Sequence, residues 1–465
     1  MKFRRSICLL LSLICLFCCI CFCVSGQDLE EADPSVTSGS HGLDGRNPLL
    51  GNTRLIDNCK ATLIYETTTD TLLHAFNADN KLYPASLVKI MTAYVALERG
   101  SLDDVVTIRE DAFRALPKDS ISVRLKEGEK ISLESLLYCM IVQSANDASA
   151  AIAEHISGSQ ASFVTLMNQY AKELGCTNTN FTNPHGIHHE NQYSTARDIA
   201  RILAAAMKND AFRTIFKTAK YTVPATNLSD PRILTSGNHL MHTESMTYYF
   251  DERVTGGRTG VDYQGFRHLA GTAEENGMEL VTVVIGSVSE FEPDGVTVKS
   301  FGGFLETSNL LNHGFNNYRK RQIVSADQVM RQISILNGDC DLLLGVKDSV
   351  STILPSGVKL DDLTFRYTDV LSSSAAPVKR GTLASHLQVW YGPNCLVQTD
   401  VFALNDVSVA TQKVVSISLN RNGIPWWAIV FIVFGGIVMS MLIVLFSIRA
   451  KNMRKHRNQN PYRRR

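Results

Sequence analysis

Tyr83-Pro84-Ala85-Ser86-Leu87-Val88-Lys89-Ile90-Met91-Thr92 sets a serine and a lysine three residues apart at the head of an apolar run. Residues at i and i+3 share one face of a helix, so this spacing brings a lysine amine within reach of a serine hydroxyl. Pro84 falls in the first turn, where a helix tolerates proline. Unpaired backbone N–H groups and the positive dipole end at a helix start would also steady an oxyanion beside Ser86. We therefore read Ser86 as a nucleophile and Lys89 as its base. An amine is a base only when neutral. Burial and a second cation both lower a lysine pKa, so this reading requires another positive group in the site. The pair alone is equally what a plain helix shows, with Ser86 in the cap region and Lys89 in solvent. Other segments have to decide.

Two of them do. Gln143-Ser144-Ala145-Asn146-Asp147 separates two helical patterns, 131–142 and 146–156. There Ser144 offers a hydroxyl for proton relay and Asn146 a carboxamide for a substrate amide or the lysine. Ordinary helix capping by Ser and Asn is the competing explanation. Gly256-Gly257-Arg258-Thr259-Gly260-Val261 precedes strand patterns at 266–272 and 279–286, joined by Glu274-Glu275-Asn276-Gly277. Arg258 could clamp a carboxylate, Thr259 add a hydrogen bond, and Gly260 let a substrate backbone lie close. Arg258 is also the candidate second cation. A hairpin at 61–65 and 71–76 leads into the Ser86 helix, and another helix is expected at 159–174. Thr195 and Asp198 have the spacing of a capping box. His185, His188 and His189 are close in sequence, but Pro184 and Gly186 make their segment an irregular loop without a second ligand cluster. No metal or cofactor is expected.

Ser-x-x-Lys, Ser-x-Asn and a basic-Thr-Gly strand, in that order, resemble the penicillin-binding serine enzymes. The likeness extends through Asn146-Asp147-Ala148, Asn183-Pro184-His185-Gly186, Tyr193-Ser194-Thr195-Ala196-Arg197-Asp198 and Leu311-Asn312-His313-Gly314-Phe315. With Tyr83 to Thr92, these resemble the low-molecular-mass D-alanyl-D-alanine carboxypeptidases from about Lys60 to Tyr318. The resemblance implies a mixed α/β (α+β) fold, an antiparallel sheet with a helical lobe. It also implies that Ser86 is acylated by the penultimate D-alanine of a peptidoglycan stem peptide and that β-lactams acylate the same serine. Lys89 would be the base, with Ser144 and Asn146 assisting. Arg258, Thr259 and Gly260 would bind the terminal carboxylate, and the N–H groups of Ser86 and Val261 would form the oxyanion hole. The family usually has lysine where this chain has Arg258. Arginine keeps the charge but does not give up a proton near neutral pH. A β-lactamase would need a deacylating carboxylate, and no clear Glu-x-x-x-Asn lies between Ser144 and Arg258. A wall-binding scaffold that has lost turnover is the alternative from another class.

The remaining chain supplies compartment and anchor. With 465 residues, a formal net charge of +1 and 45% hydrophobic residues, it is a multi-domain globular protein with no nucleic-acid signature. Residues 1–26 read as a signal peptide, basic and then apolar with small residues at a cleavage point, an uncleaved anchor being the alternative. Polar residues 27–52 read as a flexible lead-in, 53–320 as the catalytic domain, and 321–410 as a small all-β domain without a catalytic constellation. That domain is similar to the C-terminal β domain of many such carboxypeptidases. After a linker at 411–423, apolar residues 424–448 can cross a membrane as one helix, and the basic tail 449–465 should stay in the cytoplasm. Both domains would then lie outside the cell membrane. Beyond the leader, Cys59, Cys139, Cys176, Cys340 and Cys395 are odd in number, with only Cys340–Cys395 a conceivable pair.

Overall fold

The computed structural model describes residues 43, 54–114, 116–294, 298–371, 375–410 and 426–457. The leader, the lead-in except Leu43, the linker and the last eight residues of the tail, 458–465, lie outside the described residues. One unit runs to Val409 and a second begins at Ala410.

Five antiparallel strands form the central sheet: β1 (Ala61–Glu66), β2 (Thr71–Phe76), β3 (Val254–Val261), β4 (Arg267–Glu275) and β5 (Met278–Ser287), in the order β2-β1-β5-β4-β3. Two local signals set it up. The turn between β4 and β5 is Asn276-Gly277, both at positive φ (52° and 75°), the backbone a two-residue hairpin demands. The expected hairpin at 61–76 forms, one residue longer at its first strand. β1 and β5 are buried along almost their whole length, so the sheet is covered on both faces.

One face packs against α1 (Val88–Arg99), α2 (Leu133–Ile141), α3 (Asn146–Ser157), α4 (Gln160–Glu173) and α5 (Ala196–Ala206). α1 is the hub. Eight of its residues, including Lys89, are buried, which fits a helix enclosed by others rather than an amphipathic one on a surface. The other face is covered by α6 (Phe304–Asn317), whose Leu310, Leu311 and Phe315 meet Ile64, Leu73, Leu280 and Val284.

Two local details differ from the sequence reading, each for a polar reason. α2 begins at Leu133 and not at 131, because the Ser132 hydroxyl accepts from the Ser135 N–H at 3.1 Å and caps it. Lys130–Ser132 is instead a short strand on Val105–Thr107. Only half of the Thr195–Asp198 capping box forms: Thr195 Oγ1 accepts from the Asp198 N–H at 3.0 Å. The Asp198 carboxylate accepts instead from the Asn178 N–H (3.0 Å) and the Thr179 hydroxyl (2.8 Å), tying α5 to that loop.

After α6 come β6 (Tyr318–Val324), β7 (Arg331–Ile333), β8 (Leu342–Gly345), β9 (Val350–Pro355), β10 (Leu363–Asp369), β11 (Leu383–Tyr391) and β12 (Asn394–Ala403). β6 pairs with β9, and the other five form a sheet in the order β7-β8-β12-β11-β10, the expected all-β region. Ile353 of β9 enters the same cluster as Phe315, and the Ser356 N–H donates to the Asn317 carbonyl at 2.8 Å. Cys340 and Cys395 are both free thiols. In the second unit, α7 (Trp426–Arg457) contains a 21-residue apolar stretch, Ile429–Arg449. At 1.5 Å per residue that is about 30 Å, the thickness of a bilayer core.

Phe315 fills the space between sheet, α6 and β9, at 2% exposure. Phe315→Ala should destabilise this unit by about 3–5 kcal/mol, read as a lowered urea midpoint at unchanged slope.

Candidate active site

Ser86 lies one turn ahead of the helix that the sequence assigned it to. Ala85–Leu87 is a 3-10 turn, and the α-helix proper starts at Val88. Ala85 has φ +46°, a strained position for a residue with a side chain. The loop Asn183 to His189 explains how that strain is held. Gly186, at φ +85°, lies so close that a Cβ there would stand 2.0 Å from the Ala85 carbonyl oxygen and 3.0 Å from the Ser86 nitrogen. The loop is fixed in turn, since Thr92 Oγ1 donates to the Pro184 carbonyl at 2.6 Å and the Gly186 N–H to Asn183 Oδ1 at 2.7 Å.

Lys89 is fully buried. Its Nζ is 3.3 Å from Ser86 Oγ, 2.7 Å from Asn146 Oδ1, and hydrogen-bonded to the His185 carbonyl. Burial and then the Arg258 charge push its pKa well below the ordinary 10.5, with Asp147 opposing them. Arg258 is thus the second cation that the sequence reading required. Its guanidinium is 2% exposed, donates from Nη1 to the Ile141 carbonyl at 3.0 Å, and is pulled by burial down to about 10.

Ser144 does not cap α3. It adopts φ +67°, Ala145 occupies the cap position without a side-chain bond, and Ser144 Oγ donates to Ser86 Oγ at 3.3 Å. Such backbone strain persists only where the surrounding structure holds it, and it clusters at functional sites. Gly260 brings β3 against the serine: a Cβ there would be 3.2 Å from the Ser86 nitrogen. Thr259, half-buried, flanks it, and Val261 is 52% exposed at the strand edge. All eight sequence-assigned residues therefore converge on one cleft. It consists of two recesses of about 350 and 370 Å³ that share Ser86, Ile121 and Val261. The first runs toward Tyr83, His188 and Tyr263, and the second toward Ser144, Arg258 and Thr259.

Sequence reasoning gave no role to four contributors. Asp147, 1% exposed, accepts from the Ser122 hydroxyl (2.6 Å) and the N–H groups of Val123 (3.2 Å) and Leu125 (3.0 Å). It thereby pins the cleft wall to the start of α3. His185 contributes a carbonyl, which any residue type could supply. Asn183 and Gly186 shape the loop, and their signal was the Asn-Pro-His-Gly turn itself.

The sequence pattern of D-alanyl-D-alanine carboxypeptidases matches residues 55–289, and that of the penicillin-binding protein 5 C-terminal domain matches 318–409. The chain belongs to the D-alanyl-D-alanine carboxypeptidase family. It is 31% identical over 362 residues to D-alanyl-D-alanine carboxypeptidase DacC of Escherichia coli (strain K12), covering 75% of this chain and 84% of that protein. It is 26% identical over 360 residues to D-alanyl-D-alanine carboxypeptidase DacF of Bacillus subtilis (strain 168), covering 77% and 87%. Penicillin binding protein 5 from Haemophilus influenzae has the same fold, with a TM-score of 0.62 at 30% identity over 77% of this chain and all of that one. The penicillin-recognising fold and the appended all-β domain are thus those expected from the sequence.

Two outcomes follow for this carboxypeptidase. Gly186→Ala should displace the serine turn and slow covalent β-lactam incorporation about 100-fold, measured as the rate of labelling. Burial lowers His185 to about 3, and His74 and His268 to about 4, from the ordinary 6.5. The unfolded chain therefore takes up these protons at higher pH than the folded one. Their contribution is complete above pH 6.5 and is lost as pH falls through 4, so the urea midpoint should drop between pH 7 and pH 4.

Proposed function

We propose that this enzyme, a serine-type D-Ala-D-Ala carboxypeptidase, removes the terminal D-alanine of peptidoglycan stem peptides through an acyl-enzyme on Ser86. Its roles divide as follows. Lys89 in its neutral form takes the Ser86 proton as Oγ attacks the penultimate D-alanine carbonyl. The N–H groups of Ser86 and Val261 hold the oxyanion. Collapse breaks the peptide bond, and the departing amine receives its proton through Ser144. Water then adds to the acyl carbonyl with the same base and frees Ser86. Asn146 orients Lys89 and the substrate amide, while Arg258, Thr259 and Gly260 make the recess for the C-terminal residue positive and close-fitting. β-Lactams acylate the same serine.

One observation carries this reading. Two of the three partners of Lys89 Nζ are carbonyl oxygens, of Asn146 and His185, which can only accept. In a neutral amine they take both N–H bonds. The lone pair is left facing Ser86 Oγ, 3.3 Å away, and that is the geometry of a general base.

The same proposal divides the chain into a signal peptide at 1–26, a lead-in at 27–52, a catalytic domain at 53–320, an all-β spacer or interaction module at 321–410 and a linker at 411–423. Residues 424–448 then form a single-pass membrane anchor, and 449–465 a cytoplasmic tail. This keeps Ser86 on the cell-wall side of the membrane. Positive residues after the apolar stretch support that orientation.

D-Alanine release from a peptide ending in Lys-D-Ala-D-Ala tests the proposal. Ser86→Ala should abolish release, and Lys89→Ala should lower it by about 10²–10⁴-fold. A folded wild-type protein that never acylates would instead establish a wall-binding scaffold.

A further inference from the structure

Arg267 begins β4, directly opposite Val261 in the strand register, and lines the same recess as Ser86, Ser144, Arg258 and Thr259. Its guanidinium is held in place. Nε donates to Ser289 Oγ at 2.7 Å, and Cζ lies 4.5 Å from the centre of the Phe301 ring. The Phe301 N–H is itself bonded to the Tyr249 hydroxyl at 2.8 Å. These contacts use one edge and one face of the group. Its two terminal nitrogens have no acceptor among the described residues.

No carboxylate among the described residues pairs with the charge on this group. Arg197, Arg213, Arg232 and Arg253 are each at least partly buried and each reaches a carboxylate, Asp79, Glu279, Glu129 and Asp251 respectively. Arg267 is half-buried and pairs with no carboxylate among the described residues. Desolvation lowers its pKa, and the group that opposes this is the Tyr249 phenol, not a carboxylate. A guanidinium partly stripped of water without a counter-ion is costly, and a carboxylate that docks on it recovers the cost. The planar fork suits two carboxylate oxygens at once. Arg258 is less well placed for direct contact, since it is 2% exposed and spends Nη1 on the Ile141 carbonyl.

We propose that Arg267 binds the C-terminal carboxylate of the substrate directly, and that Arg258 acts from behind β3, chiefly on Lys89. Specificity for a free carboxy end then resides in Arg267, with Thr259 beside it. This inference rests on the carboxypeptidase reading of Ser86.

The test compares a peptide ending in Lys-D-Ala-D-Ala with the same peptide as its C-terminal carboxamide, using the detergent-solubilised full-length enzyme. Wild type should cleave the carboxylate form faster. Arg267→Gln should lower kcat/KM on that form by about 10–100-fold, mainly through KM, and leave the carboxamide within about twofold. Arg267→Lys should recover part of the loss, and thermal melting should be unchanged in both variants. Equal losses on the two peptides, or no loss on the carboxylate form, would overturn the assignment. A carboxylate-free thioester separates the two levels of the argument. Wild type that is acylated at Ser86 by the thioester but does not distinguish the two peptides overturns only the role of Arg267. Wild type that the thioester leaves unmodified overturns the reading of Ser86, and this one with it.

Discussion

Two carbonyl oxygens hold the amine of Lys89, and the rest of the site depends on that constraint. A buried lysine is tolerated only if its charge is removed or paired. Here the nearest charges oppose each other, because Arg258 disfavours the ammonium and Asp147 favours it, while desolvation acts with Arg258. The Asn146 and His185 oxygens then give the neutral amine two fixed hydrogen bonds, so that it is satisfied without its charge. Burial, which would make this lysine a liability in an ordinary core, is what suits it to the base role proposed for it.

Holding those oxygens in place accounts for much of the surrounding architecture. His185 belongs to a loop pressed onto the serine turn with no room for a side chain at Gly186. Asn146 begins α3, and its neighbour Asp147 fixes that helix start against the segment from Ser122 to Leu125. Arg258 lies on β3, which stays in register with β4 across six consecutive residues, Gly256 to Val261. Helical lobe and loop thus each give Lys89 a hydrogen bond and the sheet gives it a neighbouring charge, and the cleft lies where they meet. The strained residues Ala85 and Ser144 sit at the same junction, which is where strain can be sustained by surrounding packing.

Much of this was legible in the sequence because local rules write it there. A three-residue spacing puts Ser86 beside Lys89, Asn-Gly sets the β4–β5 turn, and basic-Thr-Gly at a strand edge points to an anion. The need for a second cation followed from the chemistry of a neutral lysine, and Arg258 fills it. What stayed hidden depends on contacts between distant segments. The acceptor on His185 is a backbone carbonyl, invisible to residue identity. Ser144 looked like a cap because serine usually is one, and only the positive φ that aims it at Ser86 separates the two cases. That Arg267 meets no carboxylate among the described residues is likewise a property of three-dimensional surroundings, since nothing in its local sequence distinguishes it from the arginines that do.

The protonation state of Lys89 tests this account most directly. Enzyme carrying ¹⁵N-lysine, with the Lys89 signal assigned by its loss in Lys89→Ala, can be titrated by NMR of the side-chain nitrogens. A neutral amine at pH 7, while surface lysines remain ammonium groups, is the result the structure predicts. An ammonium at Lys89 that persists toward pH 10 would contradict it, and with it the assignment of Lys89 as the base that activates Ser86.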